Sequence, residues 1–162
     1  MNSLLKLGLW IFASLAVTLN ALAQTTISPA GAPFTAKGDI AFEKGMISAN
    51  CVISMEGRVS ADGKVSYIDK VKFDGGFKCR RVEAKKLPWT LLADSETSGK
   101  MTGVEVTVSA PMFGGDCGPN EIVGRWDNNN SKMSAENAEF TGGCKINKVN
   151  INISPNMTVT AN

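Results

Sequence analysis

Short segments in which apolar and polar residues alternate are the feature that most limits what this chain can fold into. In the segment Ile47–Val59 the apolar residues recur at every second position, and only Val52 interrupts the polar face. Residues 145–154 repeat the same alternation. A period of two residues is typical of a β-strand with one buried face. The side chains expected to point inward are Ile47, Ala49, Cys51, Ile53 and Met55 in the first segment and Val149, Ile151 and Ile153 in the second.

Glycine, proline and asparagine clusters separate these segments. They divide the chain into about nine or ten short strands, and no segment after residue 23 has a sustained helical period. The sequence therefore predicts an all-β fold, an antiparallel β-sandwich or barrel-like single domain.

The same pattern sets expectations for individual elements. A turn at residues 61–63 predicts a hairpin in which residues 64–73 return beside the preceding strand. Its expected inward side chains are Val65, Tyr67, Val71 and Phe73. Further along, we expect a strand over residues 77–82, a polar connector over 94–100, a strand over 101–109 and a loop over 112–120.

The first 23 residues have the pattern of a signal peptide. Lys6 precedes an apolar run, and Ala21-Leu22-Ala23 forms a small-x-small cleavage site. We therefore expect an exported protein, secreted or at the cell surface, with no transmembrane segment after cleavage. We also expect residues 24–37, which contain Pro29 and Pro33, to form a flexible N-terminal arm. Residues 38–162 would then form a single β domain.

The charge balance argues against a nucleic-acid partner. The full chain carries a formal charge of +2. Cleavage removes Lys6 and no acid, which leaves +1 on residues 24–162. Such a weak field does not attract a polyanion over long range, so no nucleic-acid binding is expected.

Four cysteines, Cys51, Cys79, Cys117 and Cys144, all follow the leader. An even number of cysteines in an oxidising compartment favours two disulfides over free thiols. Zinc is disfavoured because the chain has no histidine and no C-x-x-C pair. We expect Cys51 to pair with Cys79 and Cys117 with Cys144, since each pair spans about one hairpin, although four cysteines formally allow three pairings.

Residue chemistry predicts no enzyme, cofactor or metal site. Without histidine, serine and cysteine triads lack their usual base. The run Asp127–Ser131 supplies oxygen ligands but lacks the glycine and terminal glutamate of an EF-hand calcium loop. Paired carboxylates are the remaining hydrolytic option, with Glu105, Asp116, Glu121, Asp127, Glu136 and Glu139 as candidates, but nothing in the sequence indicates that two of them meet.

Two other features have a binding and a structural interpretation. Trp89 and Trp126 are possible members of an apolar ligand surface, although buried packing is the commoner fate of a strand tryptophan. The basic cluster Arg80 to Lys86, with Lys78 before it, is compatible with an anionic ligand, but edge protection is the more common role of such a cluster.

One local theme recurs three times. An aromatic residue, a Gly-Gly pair and a cysteine follow one another from Phe73, from Phe113 and from Phe140. The copies are unequally spaced, so they do not form a solenoid period. We interpret them as three hairpin or crossover turns.

Several motifs together resemble a known family. A leader ending in Ala-Leu-Ala-Gln precedes a Gly-Gly turn before Cys79, then LPWT at residues 87–90, CGPNEIVGRW at 117–126 and GGC at 142–144. Their order resembles the secreted alkane-oxidation activators of the PraA/PraB type. The resemblance implies a non-enzymatic extracellular protein that promotes growth on alkanes, plausibly by dispersing or emulsifying hydrocarbon; related proteins act in biofilm or at the cell surface.

The partner implied by this resemblance is a hydrocarbon or lipid-like interface. Two other classes of function stay open from the residues alone. One is a self-associating subunit of an extracellular fibre or matrix, in which the segment 24–37 adds a strand to a neighbouring sheet. The other is a secreted binding module that uses Trp89 or Trp126.

Overall fold

The computed structural model describes residues 24–162, so the expected signal peptide lies outside the described residues and stays a prediction. Eleven strands and one three-residue 3₁₀ helix, Cys79–Arg81, account for the regular structure of this part. The strands are β1 Thr25–Ser28, β2 Pro33–Lys44, β3 Ile47–Val59, β4 Val65–Asp74, β5 Val82–Lys85, β6 Trp89–Ser95, β7 Ser98–Val108, β8 Gly115–Asp127, β9 Lys132–Phe140, β10 Cys144–Ser154 and β11 Thr158–Ala161.

Eight antiparallel strands form a closed barrel. The neighbours run β7, β6, β4, β3, β2, β10, β9 and β8, and β8 pairs with β7 to close the ring. The ninth strand of this sheet, β5, pairs with residues 105–108 of β7, beyond the point where β6 begins. The all-β prediction is confirmed, and of its two forms the structure is a barrel. Each of the eight strands of the ring therefore has a hydrogen-bonded neighbour on both sides over at least part of its length.

The remaining strands, β1 and β11, form a small sheet of two strands at one end of the barrel. It carries the fully buried side chains Ile27 and Val159, and Thr25 Oγ1 donates a hydrogen bond to the carbonyl oxygen of Ala93 at the end of β6. We call this the capped end.

Residues 24–37 are therefore not the flexible arm expected from the sequence. They contain β1 and the first part of β2, and Phe34 and Ala36 lie in the core. Pro29 falls between the two strands and Pro33 at the first position of β2, where neither proline interrupts a ladder.

The apolar faces predicted from alternation point into the barrel. Along β3, the alternate residues from Ala49 to Val59 are buried, and β10 buries its alternate side chains at Val149, Ile151 and Ile153. The intervening residues face water. The barrel is therefore apolar inside and mostly polar outside.

A bulge reverses the alternation within β4. Glu56 pairs with Lys70 but the next residue, Gly57, pairs with Ile68, so β4 has one extra residue at Asp69. Phe73 points inward as expected, but beyond the bulge Ser66 and Ile68 are buried instead of Val65 and Tyr67. The predicted inward orientation of Tyr67 is wrong because one inserted residue moves the rest of a strand to its other face.

Residues 77–82 form a connection in place of the predicted strand. Gly75 and Gly76 have φ values of 116° and 120°, which turn the chain into the 3₁₀ helix before β5 begins at Val82. The disulfide between Cys79 and Cys51 holds this connection against β3.

Two other predicted connections are shorter than expected. The polar connector 94–100 is mostly strand, because β6 ends at Ser95 and β7 starts at Ser98, where the two serine hydroxyls are 2.7 Å apart. In the expected loop 112–120, β8 already begins at Gly115. Gly118 of β8 has a φ of 98° and lies in a bulge opposite β7. A bulge is where a strand accommodates a glycine with positive φ.

Candidate functional site

Both disulfides lie at the end of the barrel opposite the capped end. Cys51 is bonded to Cys79 with 5.6 Å between their Cα atoms, and Cys117 is bonded to Cys144 with 5.9 Å between theirs. This is the sequential pairing that the spacing predicts. One bridge ties β3 to the connection before β5, and the other ties β8 to β10 on either side of β9. The end opposite the capped end is therefore held by two covalent cross-links.

The three Gly-Gly turns meet at this same end. Gly45, in the β2–β3 turn, donates its N–H to the carbonyl oxygen of Gly143 at 3.4 Å. Lys44 Nζ donates a hydrogen bond to the carbonyl oxygen of Gly142 at 2.7 Å. Lys78, which follows the Gly75-Gly76 turn, donates from Nζ to the carbonyl oxygen of Ser48 at 3.0 Å. The three copies of the motif of an aromatic residue, a Gly-Gly pair and a cysteine thus lie at one rim of the barrel.

Four of the five most exposed large apolar side chains between residues 24 and 162 lie on this rim. We define the apolar rim as Met46, Phe77, Met112 and Phe113, whose exposed fractions are 83%, 62%, 93% and 40%. Phe113 Cδ1 lies 3.7 Å from the place that a Cβ on Gly45 would occupy, so the β7–β8 connection lies against the β2–β3 turn. The fifth exposed residue, Val123, lies on the outer wall in β8.

Part of the basic cluster flanks the apolar rim. The Arg81 guanidinium lies 5.6 Å from the centroid of the Phe77 ring and donates a hydrogen bond to the carbonyl oxygen of Ser109. Arg80 is exposed beside it. The other members of the cluster lie farther along the chain, where Lys85 pairs with Glu83 and Lys86 with Glu105. The basic cluster is therefore divided between the rim and ion pairs on the barrel wall.

A cavity of about 60 Å³ lies inside the barrel. Phe73 and Phe140, each one residue before a Gly-Gly pair, line it, together with three methionines, Met55, Met101 and Met133. None of its lining residues carries a charge. A second void, of about 10 Å³, lies toward the capped end, and Met133 lines both.

Both tryptophans are buried rather than displayed on the surface. Trp89 lines the main cavity, and its Nε1 donates a hydrogen bond to the carbonyl oxygen of Lys85 at 2.9 Å. Trp126 lines the second void, and its Nε1 donates to Oδ1 of Asn128 at 2.7 Å. The two residues named as a possible ligand surface thus contribute to the interior.

Three of the six candidate carboxylates form ion pairs with lysines. Glu105 faces Lys86, Glu121 faces Lys100 and Glu136 faces Lys148. Across residues 24–162, no group of three or more metal-ligating side chains comes together.

The carboxylate of Asp127 organises its own turn. Hydrogen bonds from the Asn130 side chain, and from the backbone N–H groups of Asn129 and Asn130, lower the pKa of Asp127 below its ordinary value. Both carboxylate oxygens of Asp127 thus accept hydrogen bonds within the turn.

The apolar rim was missed by the sequence analysis. Met46 directly follows Gly45, and Met112 lies between Pro111 and two glycines. A large apolar side chain within a tight turn cannot reach the core, so the positions of these two methionines were the signal in the sequence for an exposed apolar surface.

The barrel fold and the apolar rim together define a class of protein. It is a small, disulfide-bonded β-barrel with an apolar interior, a mostly polar wall and one apolar end. The chain belongs to the family described as alkane oxidation protein activator PraA/PraB-like, whose sequence model matches residues 1–161. This confirms the resemblance drawn from the motifs. No curated protein and no solved structure matched the chain. No helix within residues 24–162 has the length and hydrophobicity to cross a membrane.

Proposed function

We propose that this chain is an exported, non-enzymatic activator of alkane oxidation that adsorbs to hydrocarbon through the apolar rim and helps to disperse it. The observation that carries the proposal is the concentration of large exposed apolar side chains at a single end of the barrel. The family description supplies the link to alkane oxidation. The leader pattern and the two disulfides support export.

The rim is suited to adsorption in a fixed orientation. Removing apolar surface from water contributes about 25 cal/mol per Å², so a contact of a few hundred square ångströms would contribute several kcal/mol before ordering costs. The outward residues of the wall, such as Lys37, Asp39 and Lys148, are exposed and would stay in water. A particle with one apolar end and polar sides coats a droplet and keeps it from merging with others.

The fibre-subunit alternative loses the feature that suggested it. The N-terminal segment was the candidate donor strand, but β1 pairs over its whole length with β11 of the same chain. The segment is therefore an ordered edge strand of the small sheet and not the loose arm on which that alternative rested.

The experiment compares rim and wall variants of the oxidised mature protein. Interfacial tension and droplet lifetime at a hexadecane–water interface are measured for the wild type, for Met112→Ser/Phe113→Ser, and for Val123→Ser as the control. Val123 has the same exposed fraction as Phe77, 62%, but lies on the wall. We expect the double rim variant to lose most of the activity and Val123→Ser to keep it.

Equal activity of the rim and wall variants would overturn the assignment to the rim. Equal behaviour of the wild type and an unrelated secreted protein of similar size would overturn adsorption as the function. Growth on hexadecane that is unchanged by deletion of the gene would count against the role in alkane oxidation.

A further inference from the structure

The interior cavity is a second apolar site, distinct from the rim. We propose that it binds one neutral aliphatic chain, so that the barrel holds individual hydrocarbon molecules as well as adsorbing to hydrocarbon in bulk. The proposal stands on the cavity and does not depend on adsorption through the rim.

The lining determines the chemical class of the ligand. The walls are built from aliphatic, aromatic and thioether side chains; Gly124 and Ser134 are the exceptions. A carboxylate or hydroxyl in such a space would lose its hydrogen bonds to water without replacement. The site therefore fits a neutral hydrocarbon chain better than a fatty acid or an alcohol of the same length.

The ligand is accommodated by movement of the lining. The empty volume of about 60 Å³ is smaller than the roughly 150 Å³ cavity that holds benzene in a redesigned protein core. Three methionines line the cavity, and methionine adapts its shape more readily than branched side chains. Met133 lines both voids, and its reorientation would join them into one elongated space, a shape that fits a linear chain.

The rim end is the entrance that the geometry favours. Phe73 and Phe140 line the cavity and are each followed, after one residue, by a Gly-Gly pair of the rim. At the capped end, Ile27 and Val159 of the small sheet close the barrel below the second void. An alkane that enters from the rim end would therefore reach the cavity before the second void.

Trp89 provides an internal probe of binding. In mature Trp126→Phe protein, Trp89 is the one remaining tryptophan, because the third tryptophan of the chain lies in the leader. Its fluorescence is followed while n-pentane, n-hexane, n-heptane or n-octane is added below its solubility limit, so that no droplets form. We expect a saturable change whose affinity rises about fourfold per methylene, the equivalent of about 0.8 kcal/mol.

Two matched variants test the location. Ala135→Leu, made in the Trp126→Phe protein, adds three carbons inside the cavity, whereas Ala41→Leu adds the same atoms on the outer face of β2, between the inward residues Ile40 and Phe42. We expect Ala135→Leu to weaken n-hexane binding at least tenfold and Ala41→Leu to leave it unchanged. Thermal unfolding and near-ultraviolet circular dichroism establish that each variant is folded.

A comparison of ligands keeps the proposal testable even if Ala135→Leu fails to fold. We expect n-hexanol and hexanoate to bind the Trp126→Phe protein at least tenfold more weakly than n-hexane. Absence of a saturable alkane response, equal binding by Ala135→Leu, or tighter binding of the alcohol or acid would each overturn the proposal. Because no droplets are present, these outcomes are independent of the interfacial measurements with the rim variants.

Discussion

The Lys44 ammonium group donates a 2.7 Å hydrogen bond to the carbonyl oxygen of Gly142, a residue 98 positions away in the chain. Lys44 is only 7% exposed, so this contact holds a largely buried charge at the rim. It joins the β2–β3 turn to the β9–β10 turn, beside the disulfide at Cys144. Backbone hydrogen bonds, a side-chain hydrogen bond and a disulfide therefore hold the same turns of the rim together.

The first prediction compares the two glycines of the β9–β10 turn. Both have positive φ, 87° at Gly142 and 72° at Gly143, so alanine strains the backbone at either position. A Cβ on Gly142 would also overlap the carbonyl oxygen of Asp116, whereas a Cβ on Gly143 would meet open space. We expect Gly142→Ala to lower the free energy of unfolding by roughly 3 kcal/mol and Gly143→Ala by about 1 kcal/mol.

Urea unfolding at equilibrium measures both variants. Equal losses would show that backbone strain alone governs this turn and that the contact with Asp116 is relieved by a small movement.

The second prediction compares two buried serines. The Ser66 side chain is fully buried, and its hydroxyl has no hydrogen-bond partner among the described residues. The Ser131 hydroxyl accepts a hydrogen bond from the N–H of Met157 at 2.8 Å. We expect Ser66→Ala to leave the free energy of unfolding unchanged or to raise it by up to about 1 kcal/mol, and Ser131→Ala to lower it by about 1 to 2 kcal/mol.

Thermal and chemical unfolding of the two variants, side by side, give the answer. A clear loss of stability in Ser66→Ala would contradict the account and would indicate that its hydroxyl has a partner in solution, such as an ordered water molecule.

The third prediction concerns the disulfides. Each closes a loop of similar length, with sequence separations of 28 and 27 residues. The chain-entropy relation gives about 3 to 4 kcal/mol of stabilisation for such a loop. We expect Cys51→Ala/Cys79→Ala and Cys117→Ala/Cys144→Ala to lose stability by comparable amounts.

Peptide mapping under non-reducing conditions establishes the pairing directly. A peptide in which Cys51 is linked to Cys144 would contradict the structure, and free thiols in all four positions would contradict the assignment to an oxidising compartment.

The fourth prediction is a pH dependence that arises in the turn after β8. Hydrogen bonds, chiefly from the Asn130 side chain, hold the pKa of Asp127 below its ordinary value of 3.8. A carboxyl whose pKa is depressed by folding stabilises the protein above its unfolded pKa, and this contribution disappears as the pH falls through the folded pKa. We therefore expect the advantage of the wild type over Asp127→Asn to be constant above about pH 5 and to shrink below pH 4.

The measurement is the thermal midpoint of both proteins between pH 2 and 7. Asp62→Asn provides a comparison at another turn, because a hydrogen bond from Ser60 likewise lowers the pKa of Asp62. A difference between wild type and Asp127→Asn that does not change with pH would rule out the carboxylate as the cause.

Local patterns predicted much of the fold correctly. Alternation identified the inward faces of β3 and β10, and the motif order identified the family, because both are properties of residues that are near one another in sequence. The orientation of Tyr67 was wrong because a bulge at Asp69 depends on how β4 pairs with β3. The strand formed by residues 25–28 was not predicted, because β1 is stabilised by β11, which is at the other end of the chain.

Residue patterns along the chain were enough to predict an all-β protein, the inward faces of β3 and β10, and which cysteines are close enough along the chain to pair. These outcomes depend on the two-residue period of a strand and on the length of a hairpin. Closure of the sheet could not be predicted in this way, because it requires β7 and β8 to pair while β8 also pairs with β9.

Closure also places the connections of antiparallel strands alternately at the two ends of the barrel. It therefore brought Met46, Phe77 and Met112 to one rim and enclosed Trp89 within the cavity wall. The chemistry of the two apolar sites lies in residues that are far apart in sequence, and only the folded ring brings them together.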